Sequence, residues 1–185
     1  AAMGTALPAR AQPARTPFVA WVGFGSRVPD DAPVKEPWEQ AFRELGYLPG
    51  HTLRLEYRYV PATPEGRAER LDALLAQLLR EGVDVLFSPR PEILLAARRA
   101  TRTVPIVFAT IGDPVGAGIV ESLVRPGANV TGISFDSTPE IAGKQLQLLH
   151  ELLPAGRTFG LVAWTAVDTR PFIEAARAAG NAAGL

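Results

Sequence analysis

The chain has no cysteine, two histidines and one methionine among its 185 residues. Without cysteine it can form no disulfide, no thiolate metal site and no cysteine nucleophile. The two imidazoles, His51 and His150, stand far apart in the chain, one in a turn and one in a helical pattern. Neither reads as a general base, and a metal site has almost no ligands to draw on. Charge of one sign is lacking as well: 19 Lys and Arg balance 19 Asp and Glu. The arginines are scattered, so no basic face recruits nucleic acid. No apolar run approaches the roughly 20 residues that cross a bilayer. No GxxxxGK loop, nucleophile–base pair or hydrolytic carboxylate pair is present, so no cofactor and no catalytic residue is expected.

What is there is a regular alternation. FVAWVGF (18–24) is a continuous apolar run of strand length, suited to a strand buried on both faces. A helix is predicted over 35–45, where Trp38, Phe42 and Leu45 recur on one face and Gly46 stops it. TLRLEYRYV (52–60) alternates apolar and charged residues, the period of a strand with one wetter face near a sheet edge. Thr63 is the expected cap of a long helix running to Arg80, with Leu71, Leu74, Leu75, Leu78 and Leu79 as its stripe and Gly82 after its end. VDVLFS and PIVFAT read as buried strands flanking a helix in PRPEILLAARRAT. Parallel neighbours need crossovers, so the pattern predicts an α/β fold: a parallel sheet with helices on both faces.

The pattern then starts over. NVTGISF is predicted as a strand, 139–152 as an amphipathic helix, RTFGLVAW as a strand and 168–180 as a helix. These elements are too few to bury a core of their own, which predicts a second lobe present only in part. At the other end, residues 1–16 are rich in Ala and Pro, and Ala9-Arg10-Ala11 has the small-x-small pattern of an export-signal cleavage site. The segment reads as an export-signal remnant or a flexible leader.

The most informative stretch runs from PIVFAT into GDPVGAG. Three glycines free its backbone to approach a ligand, and Asp113 stands just past the strand's carboxyl end, where α/β sheets bind their ligands. Asp113 has two readings, a contact for a cationic group or the cap of a short helix from Val115, with Pro114 in its first turn. At the preceding strand end, Ser88 offers a hydroxyl, and Arg90 after Pro89 is placed to hold a carboxylate or simply to face solvent. In the first loop, Gly25 and Ser26 stand at the pocket mouth or on the loop surface. That loop, GFGSRVPDD, lacks the third glycine and the immediate helix of a dinucleotide fingerprint. Ser134 and Phe135, and Trp164 further on, end strands facing the cleft; each aromatic ring could stack on a planar ligand or belong to the core.

FRELGYLPGHTLRLEYRY, VDVLFSP, TVPIVFATIGDPVGAGIVESLVRPGANVTGIS and KQLQLLHELLP, in this order and spacing, resemble the ABC-transporter substrate-binding family related to tryptophan- and tyrosine-binding proteins. SPRP departs from the small residues usual at that turn. The resemblance implies a periplasmic-binding-protein-like type I fold with two lobes closing on a small solute. Residues 17–128 would form a complete first lobe, 129–132 the hinge, and 129–185 the crossing and the start of a truncated second lobe. It also implies an exported, periplasmic protein, lipid-anchored or free, that is monomeric when full length and delivers an amino-acid-like solute to an ABC permease in the membrane. The competing class is a ligand-sensing regulatory or enzymatic domain on the same scaffold. A regulator should carry a basic helix-turn-helix at its amino end, where this chain has ALPARAQPA.

Overall fold

The computed structural model describes residues 15–25, 35–135, 139–153, 158, 160–162 and 170–182. Five strands form one parallel sheet: β1 (Phe18–Phe24), β2 (Arg54–Val60), β3 (Val85–Ser88), β4 (Ile106–Gly112) and β5 (Val130–Phe135), in the order β2-β1-β3-β4-β5. Helices α1 (Lys35–Glu44), α2 (Arg67–Arg80) and α3 (Pro91–Ala100) connect them, as parallel pairing requires. The strand order reverses direction between β1 and β3, and sequence patterning had not specified where that reversal falls.

Strand alternation divides β1 between two cores. Phe18, Ala20 and Val22 face α2 and α3, whose Leu75, Leu78 and Leu94 are fully buried there together with Ile106 and Phe108. The leucine stripe of α2 is the one its sequence spacing predicts. On the opposite face Trp21 lies between Tyr57 and Phe87, and Trp38 of α1 meets Trp21 edge-on at 5.1 Å and Phe87 at 4.4 Å between ring centroids. Such edge and tilted pairs add to the stabilisation from burial alone. Burial first, then the charge and hydrogen-bond acceptance of Glu39, push the Tyr57 phenol well above its ordinary value, so it stays protonated.

Three local expectations are corrected. Leu45 is exposed rather than part of the α1 face, because the helix ends one residue earlier and Gly46, at φ 85°, turns the chain away. Thr63 does not cap α2; that helix starts after Gly66, and the Thr63 hydroxyl accepts a hydrogen bond from Arg70 instead. The third correction concerns NVTGISF. Val130–Phe135 is the fifth strand of the first sheet, paired with β4 from Ile106↔Val130 to Gly112↔Phe135. Residues 129–132, read as a hinge, are therefore held in a ladder, and Asn129 ties its side chain to the Val104 carbonyl at 2.5 Å.

Beyond the sheet, α4 (Pro139–Leu152) and α5 (Arg170–Ala182) pack on each other through small residues, with Gly143 against Ala179 and Gly180 against Leu146. An open furrow of about 440 Å³ between them is lined by Leu146, Leu149, Leu161 and Ile173. The described residues of RTFGLVAW carry no strand assignment, and the rest of that segment lies outside the described residues. Among the described residues, no helix is long and apolar enough to cross a membrane.

The edge strand β2 carries a charge network that couples folding to pH. Arg54 bonds Glu56 at 2.7 Å and Glu81 at 2.8 Å, and Arg58 reaches Glu81 at 3.2 Å and also pairs with Glu56. Burial pushes the Glu56 carboxyl up, but hydrogen bonds from Arg54 and Arg58 and their charges outweigh it and hold the group below its usual range. Glu81 is lowered too, chiefly by a hydrogen bond from Gln77. A carboxylate lowered in the folded state stabilises above its unfolded value and loses that contribution as pH falls through the folded one. We therefore expect stability to decline below the ordinary glutamate value of 4.5, with a shallower decline in Glu56→Gln. Urea midpoints measured from pH 7 to pH 3 check this, and parallel curves for the two proteins would remove Glu56 from the account.

Candidate functional site

The carboxyl ends of four adjacent strands bring the sequence-derived candidates to one edge of the sheet, in the order Gly25 (β1), Ser88–Pro89–Arg90 (β3), Asp113–Pro114 (β4) and Ser134–Phe135 (β5). Doubly wound sheets bind ligands outside these ends at the point where strand order reverses, and for the order 2-1-3-4-5 that point lies between β1 and β3. By that rule a crevice is expected with Gly25 on one side and Pro89 and Arg90 on the other, and Asp113 one strand further. Ser26 and Trp164 lie outside the described residues.

Each position has a local physical cause. Gly25 adopts φ 100°, open to glycine and strained for other residues, and its N–H donates to the Val60 carbonyl at 2.9 Å. This bond closes the end of β1 onto β2. Ser88 is buried, and its hydroxyl donates to the Val22 carbonyl at 2.9 Å while accepting from the Arg90 N–H at 3.1 Å. Both bonds are structural: they lock β3 to β1 and turn the chain into α3, whose N-cap is Arg90 and whose first residue is Pro91. Ser88 therefore braces the strand end from below, and Arg90, two residues on, is exposed.

The glycine-rich loop differs from its sequence reading in two ways. Residues 114–118 form successive turns rather than a helix. Its amides also turn inward: Gly116 donates to Asp113 Oδ1 at 2.8 Å, Ala117 to the Asp113 carbonyl, Gly118 to Val115, and Ile119 and Val120 to Pro114. With these N–H groups already satisfied, the loop is no anion-binding nest. The glycines serve the turn itself. A Cβ on Gly116 would lie 2.1 Å from Asp113 Oδ2, and Gly118 sits at φ 67°. Asp113, at φ 40°, is a left-handed residue whose side chain closes its own turn, a conformation that Asp tolerates for this reason. Oδ1 thus closes a turn rather than capping a helix from Val115, and a carboxylate accepts at more than one site, so the group retains acceptor capacity. Pro114 is buried and anchors the turn.

At β5, Phe135 is 53% exposed and Ile133 75% exposed, whereas Ser134 is half-buried opposite Ile111. The Phe135 ring is therefore a surface group at the strand end and not core. Sequence reasoning missed the buttressing role of Ser88 and the inward amides of the loop. The DPxG spacing, with a glycine three residues after the aspartate, was the available signal for the second.

Residues 35–184 match the family described as ABC transporter substrate binding protein. The chain belongs to this family. As a family member it is 25% identical over 128 residues to a tyrosine-binding protein of Clostridioides difficile (strain R20291), a match covering 69% of this chain and 35% of that one. Its fold is similar to that of a conserved domain protein from Vibrio cholerae (TM-score 0.70, 28% identity), over 92% of this chain and 55% of that one. It is also similar in fold to an ABC domain in complex with L-Trp from Streptococcus pneumonia (TM-score 0.69, 24% identity), with the same coverage. The periplasmic-binding-protein-like α/β fold expected from the sequence is the one found, and the chain spans 55% of the length of these solved structures and 35% of that of the tyrosine-binding protein.

Proposed function

We propose that this chain supplies the first lobe, and the beginning of the second, of the extracytoplasmic solute receptor of an ABC importer. The receptor binds a small amino-acid-like solute, aromatic or carboxylate-bearing, and hands it to a membrane permease. The observation that carries the reading is the convergence of Gly25, Arg90, Asp113 and Phe135 on one edge of the sheet, beside the reversal of strand order. In this reading Arg90 holds the solute carboxylate, Asp113 its ammonium and Phe135 stacks on its side chain. That chemistry agrees with relatives described as binding tyrosine and as holding L-Trp. In this reading the lobes divide after β5, which is supported by the pairing of Val130–Phe135 with β4. Closure follows from differential contacts: a solute bridging both lobes favours the closed form. Export, and action as a monomer once both lobes are present, complete the proposal.

Calorimetry on the two-lobe protein with L-tryptophan, L-tyrosine and a panel of other amino acids tests it. Asp113→Asn keeps an acceptor for the Gly116 N–H and tolerates the positive φ, so it removes charge and little else. Its affinity should drop about 10- to 100-fold, the range for a hydrogen bond to a charged group. Heat absent across the whole panel would sink the amino-acid class, and unchanged affinity in Asp113→Asn would free Asp113 from the site.

A further inference from the structure

The loop that carries Asp113 is fastened at both ends by burial, Pro114 at its start and Ile119 at its finish, while Val115, Gly116 and Gly118 between them are exposed. Its internal hydrogen bonds define a shape but not a place: each runs from one part of the loop to another. The described hydrogen bond that reaches it from a different element comes from Arg98, on the later part of α3, whose guanidinium donates to the Gly118 carbonyl. Gly118 adopts φ 67°, which helps turn its carbonyl toward that donor. Arg98 is itself seated by its neighbours, since Leu94, Ala96 and Ala97 are buried against the sheet. α3 therefore spans two parts of the site. Its N-cap is Arg90 at the crevice rim, and Arg98 two turns later grips the Asp113 loop.

We infer that Arg98 is a positioning residue: by clamping the Gly118 carbonyl to α3, it holds the Asp113 carboxylate in register with Arg90 along the carboxyl edge of the sheet. The inference rests on the reading of Asp113 and Arg90 as solute contacts. A charged donor on a carbonyl forms a stronger bond than a neutral one. Its loss leaves the buried ends seated but loosens the exposed stretch between them, which includes the Gly116 N–H that holds the Asp113 carboxylate, and a binding group loses effectiveness when its supporting shell loosens.

Two measurements on the two-lobe protein decide it. The first, amide hydrogen exchange, needs no solute. Arg98→Ala should speed exchange of residues 116–119 about tenfold while β4 amides stay protected, and Arg98→Lys, which keeps a cationic donor, should restore most of the protection. The second is calorimetry with L-tryptophan and L-tyrosine. Affinity should fall about tenfold in Arg98→Ala and recover in Arg98→Lys, with the melting temperature little changed. Unchanged exchange in Arg98→Ala overturns the clamp, and faster exchange with unchanged affinity overturns the positioning role. A wild-type protein that binds neither amino acid removes the solute reading itself, and exchange alone then decides whether Arg98 holds the loop. Should Arg98→Ala fail to fold, Arg98→Gln and Arg98→Lys carry the same comparison with the same overturning results.

Discussion

Replacing Gly132 with alanine is expected to destabilise the sheet by about 3 kcal/mol, the upper end of the usual cost of overpacking. A Cβ there would stand 2.3 Å from the backbone oxygen of Phe108 and 2.5 Å from the first carbon of its ring. No rotamer change relieves the first contact, because it is made with the backbone of the paired strand. The Phe108 ring cannot swing aside either, being only 4% exposed beneath α2 and α3. β5 would have to move away from β4, weakening the ladder that holds Asp113 and Phe135 near each other at the strand ends. Urea denaturation of the wild type and Gly132→Ala measures the change. Matching midpoints would show that β5 shifts at no cost and would withdraw the packing argument.

Leu94→Ala should cost a similar amount, about 3 kcal/mol within the 2–5 observed for fully buried leucines. Leu94 has no exposed surface and lies in the core formed by α2, α3 and the sheet. Truncation leaves a cavity under the middle of α3, between its N-cap at Arg90 and the Arg98 contact with Gly118. The change should therefore affect stability and site together: a lower denaturation midpoint, and faster amide exchange in residues 116–119 relative to β4. Leu94→Met, close to volume-conserving, should lose less than about 1.5 kcal/mol. If the two variants prove equally stable, packing at Leu94 is not what seats the helix.

Much of the fold was legible because its signals are local. The apolar run of Phe18–Phe24 and the helix Pro139–Leu152 were both predicted at their observed bounds. The α2 stripe was right because a 3.6-residue period leaves little choice of buried face. The failures have equally specific causes. Leu45 continued the α1 spacing on paper, but Gly46 ends the helix before that side chain can turn inward. NVTGISF looked like a new unit because it follows a long loop. Its partner was set by the fit of Gly132 beneath Phe108, a contact between residues 24 positions apart in the chain.

The site was legible in outline only. Asp113, Ser88 and Arg90 stand at strand ends, and a parallel sheet places all such ends on one edge, so their grouping followed from fold class alone. Their individual roles did not. Ser88 proved to be a buried brace, because its hydroxyl meets the Val22 carbonyl of a strand 66 residues earlier. The glycine-rich loop looked built to present its amides, yet it turns them on Asp113, Pro114 and Val115.

The sequence by itself determined the segments that form the five strands of the sheet and its helices, that the sheet is parallel, and the family, since these depend on periodicity and on residue types at fixed spacing; it also suggested a helix from Val115 and a strand in RTFGLVAW that the described residues do not form. Only the tertiary structure decided the order β2-β1-β3-β4-β5, and with it the point between β1 and β3 where strand order reverses. It also decided that Arg98 meets Gly118. Strand order and contacts of this kind depend on complementarity between side chains distant in the chain, which no local pattern encodes.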